Sequence, residues 1–443
     1  MPHKMTPAAG ASILLERGLC SRSPWASRSG GLAPMVLAAL LACGGSEVPL
    51  VPEVPQPVPQ PIEWAAPDAP SPLLRLTAAQ YSNTVRDLFG GIELPEPNFP
   101  TESRVSGFDN YAGAQNANAL WVEALQQGAL EVTTEAMRTP EAWSFCPAGG
   151  GPDPAECGVS FLTEFLAKAF RRPAEPVEID AFSTFFLEEL DTDGNFDAAL
   201  QLTLQGVLNS PQFVYRLELT PAEGQTGDRV PLSDHEVASR LSYLLWNTMP
   251  DVALRSMADA GELSTPAEIE AEGERMMRDP RADDGVLHFH AQWLDLPQIG
   301  EVIPDPTLFP SYSEDMNPSL REDVEALVLR VWESPDPTLW SLLHDRGGEI
   351  DWALALTYDL PEGTVGMPPE RAGVLTRSGW LATKGHATQG SPVLRGVWVL
   401  DRMICAPPAP PPPDISGADS VVSFQSTTRE FYEAHTNDPA CAG

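Results

Sequence analysis

The chain has 443 residues, 42% of them hydrophobic with 11 Trp and 16 Phe, ample for packed interiors and too long for one core. Its 62 Asp and Glu against 27 Lys and Arg leave a net charge of −35. Such a surface repels phosphate backbones and anionic headgroups, which excludes nucleic acid as a partner.

The first element is a leader. Arg17, Arg22 and Arg28 precede the apolar run Met35-Val36-Leu37-Ala38-Ala39-Leu40-Leu41-Ala42, and Cys43-Gly44-Gly45-Ser46 follows it. The apolar core is too short to span a bilayer, and the arrangement resembles a bacterial lipoprotein signal. Residues 1–42 are therefore expected to be removed and Cys43 to carry lipid, which tethers the mature protein outside the cytoplasm. Gly44 rather than Asp after the anchor favours the outer membrane. Without its basic leader the chain is more acidic still, and nothing after Cys43 is long and apolar enough for a membrane helix.

Residues 43–72 continue as a proline-rich spacer, with runs such as Val54-Pro55-Gln56-Pro57-Val58-Pro59. Proline fixes φ and disfavours helix in its predecessor, so this segment reads as extended polyproline. Beyond it the pattern is helical almost throughout, and the predicted fold is all-α, multi-unit, with little or no β-structure. Thr77-Ala78-Ala79-Gln80 is a capping box that opens a helix bearing Tyr81, Val85, Leu88 and Phe89, with Gly90 as its stop. Ser233-Asp234-His235-Glu236 is a second box, leading into Val237, Leu241, Leu244 and Leu245. Thr265-Pro266-Ala267-Glu268 is a third, with proline at the first helical position. Helical spacing recurs over 161–172, 179–190, 196–208, 320–332 and 394–404. Expected domain bounds are 73–140, 158–220, 230–358 and 370–443. A second proline run, 407–413, separates the last helix from the tail.

Six cysteines are present. Cys20 lies in the leader and Cys43 is the anchor, so Cys146, Cys157, Cys405 and Cys441 remain for disulfides in an oxidising compartment. Cys146 and Cys157 bracket Pro147-Ala148-Gly149-Gly150-Gly151-Pro152, a run expected to be neither helix nor strand. A bridge across it would add roughly 3 kcal/mol in the chain-entropy model. Cys405 with Cys441 is the leftover pair. None of these spacings is a zinc site.

The remaining candidates are weaker. Asp191-Thr192-Asp193-Gly194-Asn195-Phe196-Asp197 fits the core of a calcium loop, with Asp191, Asp193 and Asp197 as ligands. Leu202 stands where an EF-hand needs its bidentate Glu. The plainer reading is a helix stop at Gly194 and a cap for the next helix. His288 and His290, two apart, point to different helix faces and cannot hold one metal; they read as interface histidines. His386 sits in a loop before Thr388-Gln389-Gly390-Ser391-Pro392, where a lone histidine could be a ligand or base or simply a loop residue. Arg171, Arg172, Arg216, Arg240 and Arg395 stand beside apolar residues and are expected to dock helices through partly buried bidentate ion pairs. No nucleophile elbow, zinc-protease motif, phosphate loop or dinucleotide fingerprint is present. Carboxylates are too many for a hydrolytic pair to be chosen from sequence.

The chain resembles the secreted cytochrome-like proteins of planctomycetes and myxobacteria, built from serial domains of unknown function (the PSD and PSCyt series). The strings that carry the resemblance run in that family's order. Leu76-Thr77 with Asn83-Thr84-Val85-Arg86-Asp87-Leu88-Phe89-Gly90 comes first, followed by Ala169-Phe170-Arg171-Arg172-Pro173 and Asn209-Ser210-Pro211-Gln212-Phe213. Ala238-Ser239-Arg240-Leu241-Ser242-Tyr243-Leu244-Leu245-Trp246, Arg371-Ala372-Gly373-Val374-Leu375-Thr376 and Ser391-Pro392-Val393-Leu394-Arg395-Gly396 complete it. The resemblance implies a helical extracytoplasmic protein. It also implies haem c near the carboxyl end, where a Cys-Ala-x-Cys-His string would supply two thioethers and an iron ligand. Here Cys441-Ala442-Gly443 closes the sequence, so Cys441 reads as the remnant of an incomplete haem motif in a truncated 370–443 cytochrome-like domain.

The expected function is a binding or scaffold component of a cell-envelope redox or polymer-handling system, with envelope redox or polysaccharide-related proteins as partners. The alternative is an electron-transfer protein or redox enzyme whose haem module is missing here. A hydrolase built on an unrecognised carboxylate pair is a third possibility.

Overall fold

A computed structural model describes residues 72–219, 230–408 and 429–430. The described residues divide between two units, one that holds 72–395 with 429–430 and a second that holds 396–408.

The larger unit is predominantly all-α. It opens with β1 (Leu74–Arg75), which pairs antiparallel with β2 (Tyr215–Arg216), Leu74 opposite Arg216 and Arg75 opposite Tyr215. Between these two-residue strands lie α1 (Ala78–Leu88), α2 (Ala119–Ala136), α3 (Pro154–Ala169), α4 (Pro176–Asp193), α5 (Phe196–Asn209) and the single turn α6 (Pro211–Val214). Each longer helix has a local reason to start. Thr77 accepts from the Gln80 amide while the Gln80 side chain accepts from the Thr77 amide, the capping box expected at α1. Asn118, Asp153 and Asn195 cap α2, α3 and α5 through their side-chain oxygens. The stretches 73–140 and 158–220 share one core, in which Tyr81, Phe89, Trp121, Phe161, Phe165 and Phe213 are buried. Its aromatic rings meet largely edge to face, as for Phe89 on Trp143 at 5.0 Å.

Cys146 and Cys157 are disulfide-bonded, Cα to Cα 5.9 Å, which ties the first turn of α3 to the preceding loop. That loop contains a 3₁₀ turn, Ala148–Gly150, where neither helix nor strand was expected. Cys405 is also disulfide-bonded, and its partner lies outside the described residues, as do Cys43 and Cys441.

The calcium-loop reading of 191–197 is not what the segment builds. Gly194 sits at φ 64 and ends α4, and the Asn195 side chain is spent on the Ala198 amide at the start of α5. Asp191, Asp193 and Asp197 are exposed, and among the described residues no three His, Cys, Asp or Glu side chains cluster as a metal site would.

A second group of helices follows the undescribed 220–229 segment: α7 (Asp234–Leu245), α8 (Val252–Ala260), α9 (Pro266–Met277) and α10 (Arg281–Trp293). The capping boxes at Ser233 and Thr265 both form. Leu244, expected on the buried stripe of α7, is instead exposed. That helix packs through Ala238, Ser242 and Tyr243, with Val237, Leu241 and Leu245 half-buried beside Trp246 and Met276. The two groups are joined by hydroxyls, Thr84 to Tyr243 at 2.8 Å and Thr248 to Asp87 at 2.7 Å.

Gly285 sets how closely α10 approaches the end of α7. A Cβ there would lie 2.0 Å from the Leu245 carbonyl oxygen. Alanine normally stabilises a helix interior by about 1 kcal/mol over glycine, so overpacking and propensity oppose each other. Backbone cannot swing aside as a side-chain tip can, and Gly285→Ala should destabilise by about 1–3 kcal/mol in urea unfolding.

The third group is α11 (Asn317–Trp332), α12 (Leu339–His344), α13 (Trp352–Tyr358) and α14 (Ser378–Thr383), after which α15 (Pro392–Trp398) begins. Leu320, Ile350, Leu354, Tyr358 and Met367 form its core. The helix expected over 394–404 is α15 continued by a π turn, Val399–Met403. Among the described residues no helix is long and apolar enough to cross a membrane.

Candidate binding cavity

The chemistry of the third group begins with a buried acid. Asp323 lies on the inner face of α11, and Arg377, just before α14, donates to its Oδ1 at 2.6 Å and to the Gly347 carbonyl at 2.5 Å. Arg377 is wholly inaccessible. The Tyr358 hydroxyl donates to Asp323 Oδ2 at 2.8 Å and accepts from both the amide and the hydroxyl of Ser378, at 2.8 and 2.9 Å. Burial pushes the Asp323 carboxyl up, against the pull of Arg377 and Tyr358. Burial and the Asp323 charge hold the Tyr358 hydroxyl well above its ordinary range. The brace thus locks α11, α13 and α14 into one frame and fixes the Tyr358 ring.

On that frame opens a cavity of about 530 Å³. Leu308, Phe309, Met316, Leu320, Leu356 and Leu381 line it with apolar surface. Arg371 is its cation, with the guanidinium carbon 4.6 Å from the centre of the Tyr358 ring. Tyr312, whose hydroxyl donates to Asn317 at 3.1 Å, stands at another wall. His386 and Gln389 contribute from a turn in which the His386 amide donates to the Gln389 carbonyl at 2.8 Å and Gly385 bridges Gly390. The turn is held at both flanks. Lys384 pairs with the buried Asp295 at 2.5 Å, and the Asp305 amide donates to the Ala387 carbonyl at 2.8 Å.

Among the described residues the lining contains no Asp or Glu, so they form no carboxylate pair of the glycoside-hydrolase kind here. Ser378 lines the cavity, but its hydroxyl proton is given to Tyr358, and a phenol with a raised pKa cannot act as its base near neutrality.

Of the residues singled out in the sequence, His386 reaches this cavity, at its exposed rim. His288 and His290 are elsewhere, on α10. Gln292 Nε2 donates to His288 Nε2 at 2.7 Å, and His290 Nδ1 donates to the Val286 carbonyl at 2.8 Å. Burial lowers the pKa of both; Asp109, 3.9 Å away, pulls His288 back up and Arg104 pushes it further down. Unfolded histidines take up protons near pH 6.5 that the folded ones resist. Stability should therefore be level above about pH 6.5 and decline as pH falls below it. Urea unfolding at pH 7.5 and 5.5 measures this, and His290→Gln should reduce the slope.

The arginines divide. Arg172 with Glu178 (2.9 and 2.8 Å) and Arg240 with Glu218 (2.6 and 2.9 Å) form the expected bidentate pairs. Arg171 does not. It lies past the end of α3, at φ 60, and its buried guanidinium donates to the carbonyls of Ala169, Gln212, Phe213 and Tyr215. It therefore ties α6 and β2 to the end of α3 by backbone acceptors, with no carboxylate among the described residues involved. Arg216 lies over the Tyr243 ring at 5.2 Å, burial lowering its pKa, and Arg395 donates to the Ser391 carbonyl at 3.3 Å. Cys441, on which the haem resemblance rests, lies outside the described residues.

Arg371, Tyr358, Asp323 and Arg377 were not singled out for chemistry in the sequence. Arg371 opens the stretch Arg371-Ala372-Gly373-Val374-Leu375-Thr376, which carries no local sign that it faces a cavity.

Four family models match the chain in series. Residues 75–138 match PSD3, residues 157–218 PSD5, residues 232–360 PSD4 and residues 371–443 PSCyt3. Each is described as a protein of unknown function, DUF1587, DUF1595, DUF1592 and DUF1588 respectively. No curated protein and no solved structure matches it. The cavity draws its walls from both the PSD4 and the PSCyt3 stretches, and a chain that carries these four domains in this order belongs to the PSD/PSCyt domain series.

Proposed function

We propose that the protein is a binding component held outside the cytoplasm by lipid on Cys43, at the outer membrane, where it serves an envelope redox or polymer-handling system. The cavity beside α11, α13 and α14 is its binding site. The observation that carries this reading is the lining itself, which among the described residues is an apolar wall with one arginine and one histidine, no carboxylate and no activated nucleophile. The leader and the Cys43-Gly44-Gly45 junction support the address.

The test is the intact mass of the protein recovered from its native membrane. Lipid on an amino-terminal Cys43, lost together with membrane retention in Cys43→Ser, is the expected result. A mass that retains residues 1–42 would overturn the anchor. The PSCyt3 match favours a second reading, electron transfer of the cytochrome-like type. A haem absorbance band in the same preparation would put that reading first.

A further inference from the structure

We propose that the cavity takes an organic anion, a carboxylate or its equivalent on an apolar body, with the charged group set against Arg371. This rests on the reading of the cavity as a binding site and names what it binds.

Four observations converge. Arg371 lines the cavity and, among the described residues, has no carboxylate within ion-pairing distance, whereas Arg75, Arg172, Arg240 and Arg330 each have one. Other arginines also lack an acid, but Arg171 and Arg346 spend their guanidinium N–H groups on backbone carbonyls, whereas half-buried Arg371 makes no side-chain hydrogen bond among the described residues and keeps its donors for a ligand. Its guanidinium is held over Tyr358, and Tyr358 is itself fixed by Asp323 and Ser378, so the cation is placed in advance while its N–H edge keeps donors for a planar anion. Among the described residues the lining has no acid, so an anion in the cavity meets no carboxylate at contact distance. Leu308, Phe309, Leu356 and Leu381 give the ligand body an apolar wall, and Asn317 and Gln389 offer neutral hydrogen bonds.

The probe is 2-naphthoate, with 2-naphthamide as its neutral isostere, titrated calorimetrically into the full chain carrying Cys43→Ser. Naphthoate is expected to bind one to one and at least about tenfold more tightly than naphthamide, the scale of one charge-assisted contact. Arg371→Gln should abolish that preference while naphthamide binding persists, and Arg371→Lys should keep part of it. Octanoate against octanol repeats the comparison with an aliphatic body and shows which body the wall prefers. Equal binding of acid and amide, unchanged in Arg371→Gln, would overturn the anion proposal and leave a binding cavity. Binding of none of the four probes would overturn the cavity reading itself. If Arg371→Gln fails to fold by circular dichroism, the naphthoate-to-naphthamide ratio of the parent chain decides.

Discussion

Trp246→Ala should lower the free energy of unfolding of the α7–α10 group by about 3–5 kcal/mol, the range for removing a large aromatic from a packed core. Trp246 is 1% exposed at the end of α7 and packs with Leu254, Leu263 and Met276. Its indole N–H donates to the Met276 carbonyl at 2.9 Å, so truncation also removes one of that acceptor's donors and leaves it the Asp279 amide at 3.2 Å. Both arginines near the ring depend on it. Arg281 stands 3.6 Å above its centre and Arg275 at 5.5 Å, while Asp251 and Asp279 pair with Arg281 and Glu272 with Arg275. Alanine would leave those ion pairs over a void instead of an aromatic face. Trp246→Phe separates the effects, because it keeps most of the packing and loses the N–H, and its cost should be less than half that of alanine. Denaturant midpoints followed by circular dichroism measure both. A loss under about 1 kcal/mol for Trp246→Ala would mean that the end of α7 does not carry that core.

What could be read in the sequence was what short-range chemistry decides. The capping boxes at Thr77, Ser233 and Thr265 all form, because each needs two residues three apart and nothing else. The long helices α4, α5 and α11 coincide with apolar runs of helical period. The short helices α13 and α14, of seven and six residues, went unread because pieces of that length owe their stability to packing. Side-chain partners set by tertiary distance failed for the same reason. Arg171 was expected to find an acid and instead finds carbonyls, three of them 41 to 44 residues further on, delivered by α6 and β2. The candidate site follows this division. His386 was visible as a lone histidine in a loop, whereas Arg371 acquires meaning only from Tyr358, and Tyr358 only from Asp323 and Ser378.

The larger consequence of that brace lies in Asp323. Asp323→Ala should cost about 3–5 kcal/mol, the usual penalty for leaving a buried charge without its counter-ion. Arg377 has no route to water and would keep one partner, the Gly347 carbonyl. The penalty arises from the orphaned guanidinium more than from the lost bond, which yields a second, opposite-looking expectation. The double replacement Asp323→Leu with Arg377→Met removes both charges and should cost less than Asp323→Ala alone; the non-additivity of a double-mutant cycle reads the coupling. Stability and binding then part company. Asp323 is absent from the cavity lining, yet it holds the Tyr358 hydroxyl and so the ring beneath Arg371. Even the well-packed double variant should therefore bind 2-naphthoate more weakly than the parent, with 2-naphthamide little affected. If the double variant kept full naphthoate affinity, Arg371 would be placed by something other than the Tyr358 platform. The brace would then be an element of stability alone.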